Sequence, residues 1–210
     1  MALINTTHKP DFLIIGAGII GLSVALELKK QFSDSKITII DKEKSLGVHA
    51  SGRNSGVLHA GFYYSDNSLK AKLCRNGNAY WHSYCLEKKL KINQCGKIVI
   101  ARNEDEIDRL DELYRRGQKN NVELELITEK QAKEIEPNIN TFARALFSPT
   151  TATIDPHEIL ASISKDVLNA NIEIIYNRKF LKKIENIIIT NNGCFEPGYL
   201  INASGLYADV

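Results

Sequence analysis

Two kinds of hydrophobic pattern open the chain. Phe12-Leu13-Ile14-Ile15 and Lys36-Ile37-Thr38-Ile39-Ile40-Asp41 are short, nearly continuous apolar runs, as strands buried on both faces of a parallel sheet require. Between them Leu22, Ala25, Leu26 and Leu28 recur at helical spacing, and Lys29-Lys30 suit the last turn of a helix reaching Phe32. The pattern predicts a βαβ unit with a right-handed crossover. Lys44 to Tyr64 is rich in Gly, Ser, Asn and His and has little periodicity. It predicts a long loop with room for a short helix, of a length that usually carries function.

Further along, Ser68 to Leu90 reads as a helix with Leu69, Leu73, Trp81, Tyr84 and Leu86 available to pack. Strands are predicted over 96–101, 122–127, 144–147 and 151–154. A charged, solvated helix is predicted over 104–119. A short helix is opened by the capping pattern Thr128-Glu129-Lys130-Gln131 and stopped by Pro137. Asp155-Pro156 starts a helix to about Leu168, and strands over 172–176, 179–184, 187–190 and 199–203 follow. Residues 1–10 are polar and are expected to fray. The order predicts an α/β chain in two modules. A Rossmann-like domain is built from 1–73 and 154–210, and an α+β module is inserted over 74–153. No internal repeat is visible.

Composition narrows the function classes. Lys+Arg 27 against Asp+Glu 25 leaves a net charge of +2, which argues against a basic nucleic-acid surface. No apolar run approaches the ~20 residues of a membrane span. The stretch from Phe12 to Leu22 is broken by glycines and lacks the basic flank of a secretory signal. Cys74, Cys85, Cys95 and Cys194 lie far apart, with no CxxC pair and no zinc-ligand spacing. Reduced thiols in a cytoplasmic protein and no metal site are therefore expected, with peripheral association at the inner face of a membrane left open.

The motif with chemistry is Gly16-x-Gly18-x-x-Gly21, placed after a strand and opening a helix, with Asp41 20 residues beyond the last glycine. Gly16 permits the tight turn, Gly18 lets backbone approach a pyrophosphate, and Gly21 allows close packing of helix and strand. The N–H groups at the helix start suit a phosphate, and Asp41 suits a ribose 2′-hydroxyl while disfavouring a 2′-phosphate. The unit alone does not separate NAD from FAD. The run from His49 to Gly61 is small and polar, able to bring backbone close to a flat ring system. It favours a second cofactor contact, with a generic Gly/Ser loop as the alternative.

Together the GAGIIG turn, the SGRNSGVLHAGFYY loop and the INASGLYAD segment resemble the FAD-dependent oxidoreductases of the D-amino-acid oxidase superfamily. Within it the loop is most similar to the branch that oxidises L-2-hydroxyglutarate to 2-oxoglutarate. The resemblance implies a Rossmann-like FAD-binding domain with an inserted substrate module. Gly16, Gly18 and Gly21 would meet the FAD pyrophosphate, Asp41 the adenosine ribose, and Lys42 the adenine. Ser51, Gly52, Arg53, Asn54, Ser55 and Gly56 would run past the pyrophosphate toward the isoalloxazine. Phe180 would contact adenine, and Ala203, Ser204 and Gly205 would form a small-residue turn on the ADP half. Hydride would pass from a small 2-hydroxy acid to flavin N5, and electrons onward to a quinone or oxygen. His59 would take the hydroxyl proton. Flavin packing or linkage and a purely structural imidazole are its other readings. Tyr63 and Tyr64 could line the site or simply pack. Arg53, Lys72 and Arg75 are candidate carboxylate partners, and His8, His82 and His157 receive no role.

Superfamily members continue well beyond the Ala203-Ser204-Gly205 turn, whereas this chain stops at Val210. The expectation is a C-terminally truncated chain, or one half of a split protein completed by a second chain. Its unpaired edges and apolar faces would then leave the isolated chain binding FAD weakly or not at all. The rival readings are oxidation of glycerol 3-phosphate or an amino acid, and an inactive remnant.

Overall fold

The structure, a computed structural model, describes residues 7–209. It divides into two compact units, residues 1–54 with 156–210 and residues 55–155.

The first unit is built on a four-stranded, all-parallel sheet. Its order is Glu173–Ile175, Ile37–Ile40, Phe12–Ile15, Tyr199–Asn202. Leu13 and Ile14 are both fully buried, as are Ile39 and Ile40. The reason is layering. Leu13 and Ile40 face a second sheet through Ile188 and Phe195. Ile14 faces the helix Ile19–Gln31, where it approaches Gly21. That helix packs against Pro156–Asn169, and Leu22, Ala25, Ile159, Ile163 and Val167 on the two helices are buried. A strand covered on both faces has no polar side, which is why its sequence does not alternate.

The second sheet orders Thr7–His8, Cys194–Phe195, Ile187–Thr190 and Phe180–Ile184. The expected fraying of residues 1–10 lies outside the described residues as far as residue 6. Thr7–His8 instead pairs in parallel with Cys194–Phe195, and the His8 ring stacks on Phe195 at 5.2 Å. Two residues flanked by polar ones carry no period, so this strand is invisible in sequence.

The second unit holds two small antiparallel sheets. One orders Val57–Leu58, Ala152–Ile154 and Ile92–Asn93, the other Lys97–Ile100, Arg144–Ser148 and Glu125–Thr128. The helix Asp105–Lys119 closes a core of Ala60, Phe62, Ala101, Leu110, Val122, Leu124 and Leu146. The sequence pattern assigns residues 55–73 to the first module, but they fall in the second unit, with Ala60 and Phe62 in this core. The expected capping box is present. Thr128 Oγ1 accepts from Gln131 N, and Gln131 Oε1 accepts from Thr128 N. The helix Leu69–Lys88 differs from expectation. Leu69, Leu73 and Leu86 are 65–75% exposed, and the helix buries Ala71, Asn78, Tyr84 and Cys85. Among the described residues no helix is long and apolar enough to cross a membrane.

Candidate functional site

Strand order places the site. The chain runs from Phe12–Ile15 outward through Ile37–Ile40 to Glu173–Ile175, then returns to the other side of Phe12–Ile15 as Tyr199–Asn202. The segments that follow the carboxyl ends of Phe12–Ile15, Ile37–Ile40 and Tyr199–Asn202 line one crevice at that edge of the sheet. Gly16 and Ala203 open two of these segments. Gly16 N donates to Ile40 O at 2.8 Å and Ala203 N to Ile15 O at 2.8 Å, so both turns are pinned to the sheet.

Close backbone approach excludes a side chain at two of the three glycines. Gly16 has φ +108, and a Cβ there would stand 2.4 Å from Ala203 O. A Cβ on Gly21 would stand 1.9 Å from Gly16 O, so the helix seats on the turn only without a side chain. Gly18 is the N-cap, in extended conformation. Ser51 Oγ caps the helix from the loop, accepting from Ile19 N at 3.1 Å. No acid stands in the first turn, so the positive end of the helix is left for an anion.

Asp41 closes the next strand and is fixed at both oxygens. Oδ2 accepts from Ala17 N at 2.7 Å, inside the glycine turn, and Oδ1 accepts from Glu43 N at 2.9 Å. The carboxylate thus holds the turn to the sheet edge while standing at the crevice.

These groups open on one cavity of about 610 Å³ within the first unit. Of the residues expected to bind cofactor, Gly16, Gly18, Asp41, Lys42, Ser51, Phe180, Ala203, Ser204 and Gly205 line it. Gly21 is buried beneath, in the helix. Gly52, Arg53 and Asn54 do not line it. They shape the loop instead: Gly52 N donates to His49 O, Arg53 N to Ala50 O, and Asn54 Nδ2 to Ala50 O and Ser51 O. Ser55 and Gly56 belong to the second unit, where Gly56 O accepts from Ile154 N.

Among the lining residues given no role by sequence reasoning are Glu43, His49, Arg178, Asn202 and Tyr207. Glu43, His49 and Tyr207 form a small polar wall with Lys42. Lys42 Nζ lies 3.1 Å from the Tyr207 ring centroid, His49 meets the same ring edge-on at 5.5 Å, and His49 Nε2 pairs with Glu43 Oε1 at 2.8 Å. Asn202 organises the return turn, accepting from Ser204 N and Ser204 Oγ and donating to Ala208 O. A polar residue closing a strand at the sheet's carboxyl edge was the available signal for Asn202. Tyr207 and Arg178 had none, because only the tertiary fold brings them here.

His59 lies in the second unit, exposed, and its carbonyl accepts from Cys74 Sγ at 3.2 Å. Partial burial, and then the charge of Lys97, hold its imidazole below the ordinary 6.5. The ring is therefore neutral at pH 7 and able to accept a proton. Among the described residues no group of three or more His, Cys, Asp or Glu is placed to hold a metal ion.

Three comparisons bear on this geometry. The family described as FAD dependent oxidoreductase matches residues 11–210. L-2-hydroxyglutarate dehydrogenase of Escherichia coli K12 is 35% identical over 204 residues, covering 95% of this chain and 48% of that protein. The mitochondrial L-2-hydroxyglutarate dehydrogenase of Bos taurus is 40% identical over 225 residues, covering 97% and 48%. The chain spans about half the length of these curated relatives. Among solved structures, reduced L-α-glycerophosphate oxidase of Mycoplasma pneumoniae with FAD bound superposes with a TM-score of 0.84 at 24% identity, covering 94% of this chain and 54% of that one. That likeness is one of fold.

Proposed function

The chain belongs to the family of FAD-dependent oxidoreductases, and from that premise we propose that it serves the oxidation of L-2-hydroxyglutarate to 2-oxoglutarate, its first unit holding the ADP portion of FAD. The observation that carries the cofactor half is the crevice where Gly16 meets Ala203, a cradle that a single Cβ would fill. The residues fit a dinucleotide in three respects. An acid-free helix start faces the cavity, Asp41 is oriented at the crevice, and Lys42, Phe180 and Tyr207 offer cationic and flat surfaces. The substrate half is supported by the relatives at 35% and 40% identity.

Bound FAD supplies a two-electron acceptor. What falls to the protein is positioning and proton transfer. Ser51 holds the helix start in register, and Asp41 locks the turn to the sheet. In the second unit the neutral His59 imidazole takes the hydroxyl proton as the C2–H bond is broken. The electrons go on to a quinone or oxygen.

The test is dye reduction by the FAD-loaded protein with L-2-hydroxyglutarate, with glycerol 3-phosphate and amino acids as competing substrates. Dye reduction with L-2-hydroxyglutarate alone is the expected result, and preference for either competitor would overturn the substrate assignment. The cofactor assignment has its own measurement. Asp41→Asn keeps the shape but replaces one acceptor oxygen by a donor, so either Ala17 N or Glu43 N loses its partner. A lost charge-assisted bond is worth about 1.5–3 kcal/mol, or roughly a tenfold to hundredfold rise in Kd. FAD titration of the variant should show that rise, and an unchanged Kd would remove Asp41 from the site.

A further inference from the structure

Two carboxylates line the crevice of the first unit, Asp41 and Glu43, and they are held in different ways. Both oxygens of Asp41 are committed to backbone N–H groups, those of Ala17 and of Glu43 itself. Asp41 can swing toward a ligand only by releasing the glycine turn. Glu43 is anchored at its main chain instead. Its N donates to Asp41 Oδ1, and its O accepts from Asn177 N at 2.9 Å. Its side chain is fixed at a single oxygen. A carboxylate only accepts, so His49 Nε2 donates to Glu43 Oε1 at 2.8 Å. Lys42 Nζ stands 3.9 Å from that same oxygen. Among the described residues Glu43 Oε2 accepts no hydrogen bond. His49 in turn meets the edge of the Tyr207 ring at 5.5 Å, and Lys42 lies over the ring.

A ribose presents two adjacent hydroxyls, each able to donate. A carboxylate on a fixed stem with an uncommitted oxygen accepts from such a diol without breaking a bond elsewhere. Glu43 meets that requirement. Asp41 does not, because its oxygens are struts of the turn. We propose that Glu43 is the residue that reads the ribose hydroxyls of an adenine nucleotide, with His49 as the positioning residue that aims its carboxylate, while Asp41 shapes the crevice without choosing the sugar. The inference rests on the reading of this crevice as the seat of the ADP portion of FAD. It moves sugar recognition two residues along from the acid that the glycine spacing points to. The neighbours of Glu43 agree with the assignment. Lys42 and Tyr207 supply the cationic and flat surfaces that suit a base, so the groups for sugar and base adjoin. A carboxylate at the diol also repels a phosphate carried there, so Glu43 works against 2′-phosphorylated nucleotides.

The experiment is calorimetric titration of the whole chain with ADP and with 2′,3′-dideoxy-ADP, which lacks both hydroxyls. The wild type should prefer ADP by ~10-fold or more, the worth of a hydrogen bond to a charged group. Glu43→Met should bring that ratio close to one. The ratio cancels the change in net charge, which acts on both nucleotides alike. His49→Ala should lower the ratio, and His49→Gln, which returns a donor to Oε1, should recover it. Asp41→Asn should weaken both nucleotides together and leave the ratio standing. A wild-type ratio of one, a ratio kept in Glu43→Met, or a ratio lost in Asp41→Asn overturns the assignment; circular dichroism verifies that each variant is folded. FAD titration separates the two levels. Tight FAD binding with a sugar preference that ignores Glu43 defeats the inference and spares the cofactor reading. A Glu43-dependent preference for ADP in a chain that takes up no FAD defeats the cofactor reading and spares the inference. A folded wild type that binds neither nucleotide nor FAD overturns both.

Discussion

Gly21→Ala should abolish detectable FAD binding and destabilise the first unit. The added Cβ would lie 1.9 Å from Gly16 O and 3.1 Å from Gly16 C. Both are backbone atoms, and Gly16 is tied to Ile40 O and packed under Ala203. No rotamer change relieves such a clash, so the helix must lift from the strand. Overpacking usually costs about 1–3 kcal/mol where side chains can adjust. Here the cost belongs at or above the upper end, a large share of the roughly 5–15 kcal/mol that holds a domain together. The atoms that move are those lining the crevice, so affinity suffers beyond the stability loss. We expect FAD Kd to rise at least ~100-fold, on the scale of about 1.4 kcal/mol per factor of ten, with a clearly lower Tm. Gly77→Ala is the control. It lies in the helix Leu69–Lys88 with nothing within 4 Å of the added Cβ, so it should be neutral or stabilise by up to about 1 kcal/mol. A Gly21→Ala protein that binds FAD normally would mean that the crevice is not the cofactor site.

What was legible in the sequence follows the range of the interactions involved. The glycine turn and Asp41 sit in a βαβ unit whose spacing is set by local geometry, so their meeting could be read from residue numbers, whereas Ser51 came only from the family resemblance. The apolar runs at 12–15 and 37–40 announced burial on both faces, and Leu13 and Ile14 face different layers as that requires. The wall of Lys42, His49 and Tyr207 could not be read. Tyr207 follows Lys42 by 165 residues and arrives only because Tyr199–Asn202 adds to the sheet beside Phe12–Ile15. Hydrophobicity misled at Leu69, Leu73 and Leu86, because helical spacing says which residues share a face and not whether that face is covered. Residues 55–73 misled for a related reason. The loop is continuous in sequence, but Phe62 is committed to a core completed by Leu110, Leu124 and Leu146, contacts that only the later chain supplies.

With His59 as the base of the proposed reaction, His59→Asn should lower turnover of L-2-hydroxyglutarate by ~100- to 10,000-fold, the usual worth of a general base, while FAD content stays unchanged. Asparagine retains hydrogen-bonding capacity but has no basic nitrogen, so the readout isolates proton transfer. The pH profile gives the sign. The folded imidazole titrates below the ordinary 6.5, first through burial and then through Lys97, so the base form persists to lower pH than in a free histidine. The acid limb of kcat/KM, which reports the free enzyme, should therefore have its midpoint below 6.5 and vanish in the variant. The same shift makes the native chain bind fewer protons than the unfolded one, so His59's share of stability, complete above 6.5, fades as pH falls through the lowered midpoint. The other two roles of this residue give different results. A flavin-packing or flavin-linking histidine would lose cofactor on substitution, with turnover per bound flavin largely kept. A structural one would lower Tm and leave the acid limb in place.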